Sequence, residues 1–109
     1  MKRTVLTDGT NRWFNEDSSE YFKEGKRWDG SNNISLSTGS QWEHEALYRT
    51  KSGIWVLNWW SGYQGVQETY LEITDQEASE WFIKNEYEIE ELPKNIRVLV
   101  EKQVEELEI

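Results

Sequence analysis

Residues Gln41 to Asn85 read QWEHEALYRTKSGIWVLNWWSGYQGVQETYLEITDQEASEWFIKN, three short alternating runs followed by one capped amphipathic helix. This order constrains the fold more than any other feature of the chain. From Gln41 to Thr50, Trp42, His44, Ala46, Tyr48 and Thr50 leave one side, while Glu43, Glu45, Leu47 and Arg49 leave the other. A period of two is the strand signal, because successive side chains point to opposite faces of a sheet. Lys51-Ser52-Gly53 interrupts the run, and Gly53 can take the positive φ that a tight hairpin requires. The return run, Ile54 to Trp60, is almost entirely β-branched or aromatic, as strands prefer. Ile54, Val56, Asn58 and Trp60 share one face and Trp55, Leu57 and Trp59 the other. With apolar residues on both faces, this strand is expected to be central and covered on both sides.

Ser61-Gly62-Tyr63-Gln64-Gly65 punctuates the chain, and Val66 to Ile73 alternates again as a third antiparallel strand. Thr74-Asp75-Gln76-Glu77 then has the form of a capping box: the Thr74 hydroxyl can accept the amide of residue 77 while Glu77 reaches back to the cap. The helix that follows runs to about Asn85, with Ala78, Trp81 and Phe82 forming its buried stripe. The class predicted is α+β: a small antiparallel sheet of four or five strands packed against a capped amphipathic helix, with a C-terminal helix from residue 93 to 109. At 109 residues the chain is read as one domain, which can bury roughly two-thirds of its unfolded surface.

The remaining segments are read in the same way. Arg3–Thr7 and Arg12–Asn15 flank the turn Asp8-Gly9-Thr10-Asn11 and form a hairpin. Whether that hairpin joins the main sheet is not legible. Asp17-Ser18-Ser19-Glu20 suggests the cap of a short helix, Ser18 to about Gly25, with Tyr21 and Phe22 as its apolar residues. Ile34–Ser37 alternates as another strand. Tyr87–Leu92 reads as an extended connector or an edge strand. Pro93 suits the first turn of a helix, and Ile96, Leu99, Val100, Val104 and Leu107 then recur at helical spacing, with Gln103 on the same side. Val98 and Ile109 fall off that stripe. Ile96–Val100 can also be read as a strand, although helix is preferred. Such a helix could pack on the domain or zip to a second copy of the chain.

The strings Gly53-Ile54-Trp55-Val56-Leu57, Trp60-Ser61-Gly62-Tyr63-Gln64-Gly65 and Glu77-Ala78…Trp81 together resemble a pattern, G-x-W-x-L…W-S-x-x-Q-G…E-A-x-x-W, of small bacterial and phage proteins without an assigned activity. The resemblance spans about residues 41 to 85. It implies a small prokaryotic or phage module and brings no functional residue with it.

Composition narrows the function classes. The chain has no cysteine, so disulfide frameworks, thiolate metal sites and cysteine nucleophiles are out. A cytoplasmic setting is expected, with no leader, because Thr4–Asn11 is polar, and no membrane span, because no apolar run is long enough. Net charge is −9, and residues 61 to 109 carry all of it, with four Lys/Arg against thirteen Asp/Glu, whereas residues 1 to 60 balance eight against eight. That acidity argues against direct nucleic-acid binding and in favour of solubility or a basic protein partner.

No catalytic motif emerges. His44 is the single histidine, and strand alternation sends Glu43 and Glu45 to the face opposite it, so neither can orient the ring as a general base would need. It is read as a half-exposed structural histidine. His44-Glu45-Ala46-Leu47-Tyr48 lacks the second histidine of a zincin, Asp8 and Asp29 lack calcium-loop spacing, and no phosphate-cradling glycine motif occurs. No metal or cofactor is expected, and no enzymatic role. The aromatic cluster is the sharpest candidate for binding. Trp59 and Trp60 leave opposite faces, so one stays outside the helix-covered core, near Tyr63, Gln64 and Asn58 and, on the neighbouring strand, Trp42 and His44. The leading expectation is an interaction or inhibitor module that engages a protein through this aromatic loop, the acidic surface, or both. The alternatives are a carbohydrate or nucleotide binder and a domain with no ligand.

Overall fold

The computed structural model describes residues 1–109 and is α+β. A four-stranded antiparallel sheet is built from β3 (Glu20–Lys23), β6 (Glu43–Arg49), β7 (Trp55–Ser61) and β8 (Thr69–Ile73), in the order β3-β6-β7-β8. Two small two-stranded sheets accompany it: β1 (Arg3–Val5) with β2 (Trp13–Asn15), and β4 (Lys26–Trp28) with β5 (Asn33–Ser35). Helices α1 (Asp75–Lys84) and α2 (Lys94–Leu107) follow.

The central hairpin is as the alternation implies. Its ladder runs from Glu43 opposite Ser61 to Arg49 opposite Trp55, and Gly53 takes φ +88° in the turn. Cross-strand partners share a face, so Leu47, Leu57, Trp55 and Leu71 point one way and Tyr48, Val56, Asn58, His44 and Trp60 the other. The first face carries the main core. Leu47 and Trp55 pack there with Ala78, Trp81 and Phe82 of α1, with Ile96 and Val100 of α2, and with Leu92 from the connector. Phe22 meets Phe82 edge-on at 5.0 Å. The second face carries a smaller core in which Leu6 and Phe14 of the first hairpin cover Tyr48 and Val56.

That hairpin is a separate sheet, yet it is stitched to the edge of β8. The Thr7 amide donates to the Tyr70 carbonyl at 2.8 Å, and the Tyr70 amide donates to Thr7 Oγ1 at 3.0 Å. It covers one half of its face and stops short of Trp60.

Three expectations are corrected. Residues Glu20–Lys23 are a strand and not a helix, preceded by a single 3-10 turn, Glu16–Ser18. The reason lies in where Tyr21 and Phe22 must go: Tyr21 stacks beside Tyr48 at 5.0 Å on one face while Phe22 enters the helix-side core on the other. Only an extended chain sends adjacent side chains to opposite layers. The third strand begins at Thr69, not Val66. Tyr87–Leu92 is neither extended nor an edge strand throughout, because Ile89–Glu91 form a 3-10 turn that drops Leu92 into the core. The pairing of Lys26–Trp28 with Asn33–Ser35 has no counterpart in the sequence reading.

Helix α1 has the reciprocal capping box: Thr74 Oγ1 accepts from the Glu77 amide at 3.1 Å, and Glu77 Oε1 accepts from the Thr74 amide at 3.0 Å. The helix ends in a Schellman motif, with the Glu86 amide on Ile83 O and the Tyr87 amide on Phe82 O, and with the Phe82 and Tyr87 rings 5.2 Å apart. This motif wants a left-handed residue just past the cap, and Glu86 supplies it at φ +59°. On α2 the apolar stripe is a helix, and Ile96, Val100 and Gln103 are buried against the domain. Gln103 accepts from Ser79 at 2.6 Å, tying α2 to α1. Most of the stripe is thus used internally, and only its end, Val104 and Leu107, stays exposed. No helix is long and apolar enough to cross a membrane.

Asn85 clamps the helical layer to the loops. Its Oδ1 accepts from the Gly25 amide and the Ser37 hydroxyl, both at 2.8 Å, and its Nδ2 donates to Trp81 O at 2.9 Å. Asn85→Ala leaves the Gly25 and Ser37 donors unpaired and is expected to lower unfolding free energy by about 2–3 kcal/mol in urea titration. Glu86→Gly is expected to raise it by about 1 kcal/mol, because glycine carries no left-handed penalty.

Candidate functional site

The uncovered half of the second sheet face is the most elaborated surface of the molecule. It exists because β3 ends at Lys23, opposite Ala46, so that Glu43, His44 and Glu45 of β6 have no strand beyond them on that side. The next two residues turn the chain away. A Cβ on Gly25 would lie 2.6 Å from the Asn85 carbonyl oxygen and 2.7 Å from Leu36 Cδ1, so only glycine fits this close approach. Glu24, held at the bend, takes the place of the missing strand. Its Oε1 accepts from the Glu45 backbone amide and from the Ser35 hydroxyl, each at 2.7 Å. Its Oε2 meets His44 Nδ1 at 2.7 Å. The Glu24 side chain is only 5 % exposed.

His44 therefore has an orienting acid after all. The flanking carboxylates do face away, as alternation requires, and Glu45 accepts from the Trp81 indole N–H at 3.1 Å. Burial pushes the Glu45 carboxyl above its ordinary range, against the pull of that indole. The orienting residue is Glu24, twenty positions upstream in a stretch whose composition suggests a helix. Alternation of Glu20–Lys23 followed by a glycine is the one signal that could have placed it at a strand end. Glu24 is the sole hydrogen-bond partner of the imidazole, and it leaves Nε2 free. The Ser35 hydroxyl bonds the carboxylate and not the ring. This fixes the ring's orientation and tautomer, without an activated hydroxyl in contact.

The His44 ring lies 5.7 Å from that of Trp60, at 30°. Tyr21, Lys23, Glu24, Lys26, His44, Glu45 and Trp60 line a cleft of about 360 Å³. On the far side of Trp60 and Tyr21 a second cleft of about 480 Å³ is floored by Tyr48, Asn58 and Tyr70. Here two carboxylates organise the tyrosines. Tyr48 donates to Glu16 and Tyr70 to Glu68, both at 3.0 Å. Burial first, and then these carboxylates, push both phenols far above their ordinary range. A further cavity of about 400 Å³, between the first hairpin and the β6–β7 turn, is lined by Leu6, Phe14, Ile54 and Val56. Arg12, one of its two basic groups, is already paired with Glu72, and the space reads as a packing gap between the two sheets.

The seven candidate residues are thus divided. His44 and Trp60 share the first cleft. Trp42 and Tyr63 form a separate pair at the end of the hairpin ladder, with rings 5.9 Å apart. They are 49 % and 57 % exposed, and the Gly62 amide on Trp42 O at 2.8 Å extends the ladder beneath them. Gln64 is exposed in the same loop. Trp59 is half-buried and lies on the helix-side face with Leu57. Asn58 is 4 % exposed and its amide is committed to Glu68 and to Thr69 O, which makes it a structural residue and not a contact. Tyr21, Lys23, Glu24 and Lys26 are the members of the site that sequence reasoning did not single out. The acidic helices lie behind the sheet from His44 and Trp60, so the aromatic and acidic surfaces oppose each other. No protein-family model, curated protein or solved structure matches the chain.

Glu16 sets the pH behaviour of this face. Burial raises its pKa, but hydrogen bonds from Thr4, Tyr48 and Lys2 outweigh that and hold the carboxyl below its ordinary 4.5. A lowered native pKa stabilises fully above the unfolded value and is lost as pH falls through the native one. Docking of the first hairpin on Tyr48 is therefore expected to weaken as pH drops below 4.5. Amide exchange of residues 4 to 15 should report this, and Glu16→Gln should flatten the dependence.

Proposed function

We propose that the protein is a small non-catalytic interaction module of a bacterium or phage. It engages a protein partner through the aromatic end of its central hairpin. The single observation that supports this most is the Trp42–Tyr63 pair. Two large aromatic rings lie against each other on a rigid two-stranded ladder, each about half exposed, although the fold has an apolar core in which to bury such rings. Aromatic anchors on rigid backbone, flanked by polar groups that exclude water, are the usual energetic centre of protein interfaces. Gln64, exposed in the same loop, extends the patch, and Ser61 Oγ accepts from the Tyr63 amide at 3.1 Å, which stiffens the loop.

The acidic helical layer lies on the other side of the sheet from Trp60. A single partner meeting the aromatic patch is therefore recognised mainly by apolar contact. The net charge of −9 serves solubility and the rejection of polyanions. A basic partner read by the helices is the second form of this proposal. Salt separates the two, since screening weakens a charge-driven complex far more than an apolar one.

Affinity capture from bacterial lysate should retain a protein that is lost with Trp42→Ala and with Tyr63→Ala, while both variants keep the native circular dichroism and melting temperature. Loss of about 1–2 kcal/mol or more per aromatic anchor is expected, with little change on raising salt. Retention by both variants would remove the aromatic patch from consideration. Retention that is abolished by salt alone would move the contact to the helices.

A further inference from the structure

The Glu24–His44 cleft does not depend on the partner surface, and its chemistry points elsewhere. Of its charged groups, Glu24 is saturated: Oε1 accepts from Ser35 Oγ and from the Glu45 amide, and Oε2 meets His44 Nδ1. Glu45 is drawn to the Trp81 indole. What remains available at the mouth is basic. Lys23 and Lys26 line the cleft and are exposed, and neither takes part in any of the five ion pairs of the molecule. His44 Nε2 has no protein partner. Two free ammonium groups and a held imidazole edge thus surround the half-buried ring of Trp60, with the half-exposed Tyr21 on the other flank. In a chain that carries twenty-one acids, this is a local exception to the overall charge. At physiological salt the repulsion from distant acids is screened beyond about 8 Å, so the nearby lysines decide what enters.

We infer that this cleft binds a small phosphate monoester carrying a planar ring, of the kind a nucleoside monophosphate presents: the ring against Trp60 and Tyr21, the phosphate on Lys23 and Lys26, and a ligand hydroxyl donating to the free Nε2 of His44. Lysine is a point-charge phosphate ligand that tolerates approach from several directions. A tryptophan face stacks on any base, contributing about 1–3 kcal/mol. The volume of about 360 Å³ lies in the range of small-ligand sites, at the low end of roughly 300–1,000 Å³. Glu24 is a positioning residue: it accepts from the ring at Nδ1 and so holds Nε2 toward the ligand.

The test is titration of the intact chain with adenosine 5′-monophosphate, followed by the Trp60 indole N–H and the His44 ring signals in NMR and by calorimetry. Adenosine alone, inorganic phosphate alone and phenyl phosphate serve as separate arms. Saturable binding of the nucleotide is expected, at least tenfold tighter than either half of it. Phenyl phosphate binding equally well would assign the ring recognition to any aromatic, and failing to bind would assign it to the base. The double variant Lys23→Ala with Lys26→Ala, both at exposed positions, should weaken binding tenfold or more. His44→Gln should weaken it several-fold and leave its salt dependence unchanged, since the lysines carry the charge. Trp42→Ala should leave it unchanged, which keeps this result separate from the partner surface. Absence of saturation at millimolar nucleotide, or binding indifferent to the two lysines and His44, would overturn the assignment.

Discussion

The close approach of Gly25 to the Asn85 carbonyl decides where the sheet ends, and the rest of the functional face follows from it. A side chain at that position would need space that the Asn85 backbone and Leu36 already occupy. The chain can pass only as glycine, and in passing it leaves β6 at Ala46 and takes β4 and β5 off as a separate ribbon. The first residues of β6, Glu43 to Glu45, are thereby left with an open edge. An unpaired edge amide costs free energy unless something accepts from it, and the Glu24 carboxylate does so at Glu45. The same carboxylate then has a second oxygen free to meet His44. One steric restriction thus produces the strand break, the capped edge and the oriented imidazole together.

The two faces of the sheet are treated differently for a reason of supply. The helices and the connector bring six buried residues together with Leu47 and Trp55 in one contiguous aromatic and aliphatic core. The other face has only a three-residue hairpin arm on each side of its turn, enough to cover Tyr48 and Val56 but not Trp60. Half of that face stays open. Its floor is polar and tied down by the pairs Tyr48–Glu16 and Tyr70–Glu68, so the opening is a shaped surface lined with satisfied groups and not a deficient core.

Eleven of the thirteen acids of the second half lie on the helices and their flanking segments behind this surface, while Glu68 and Glu72 are paired with Tyr70 and Arg12 on the other side. The separation lets the open face carry a small basic cluster in a strongly acidic protein. It also explains why the run of glutamates in residues 86 to 91 does not disrupt the fold. The Ile89–Glu91 turn buries Leu92 and half-buries Ile89 while its carboxylates remain in water.

Local physics alone determined a good deal. Period two in residues 43 to 61, the turn at Gly53, the capping box at Thr74 and the stripes of both helices are properties of consecutive residues, and each appears in the structure as the sequence implies. The two faces of the central hairpin were legible for the same reason, but the expected cover on both faces was not met: the first hairpin covers Tyr48 and Val56 and leaves the Trp60 end half-buried. Only tertiary structure decided the rest. Glu20–Lys23 carries cap-like residues that favour a helix locally, and it is a strand because Tyr21 and Phe22 are claimed by cores on opposite sides of the sheet. Asn58 looks like a surface residue in its string, and it is buried because Glu68 and Thr69 fold over it. The Glu24–His44 pair joins residues twenty apart through a bend that Asn85, sixty positions from Gly25, imposes. Contacts at such separations leave no periodic trace in a single chain, because they depend on which surfaces meet and not on which residues are neighbours.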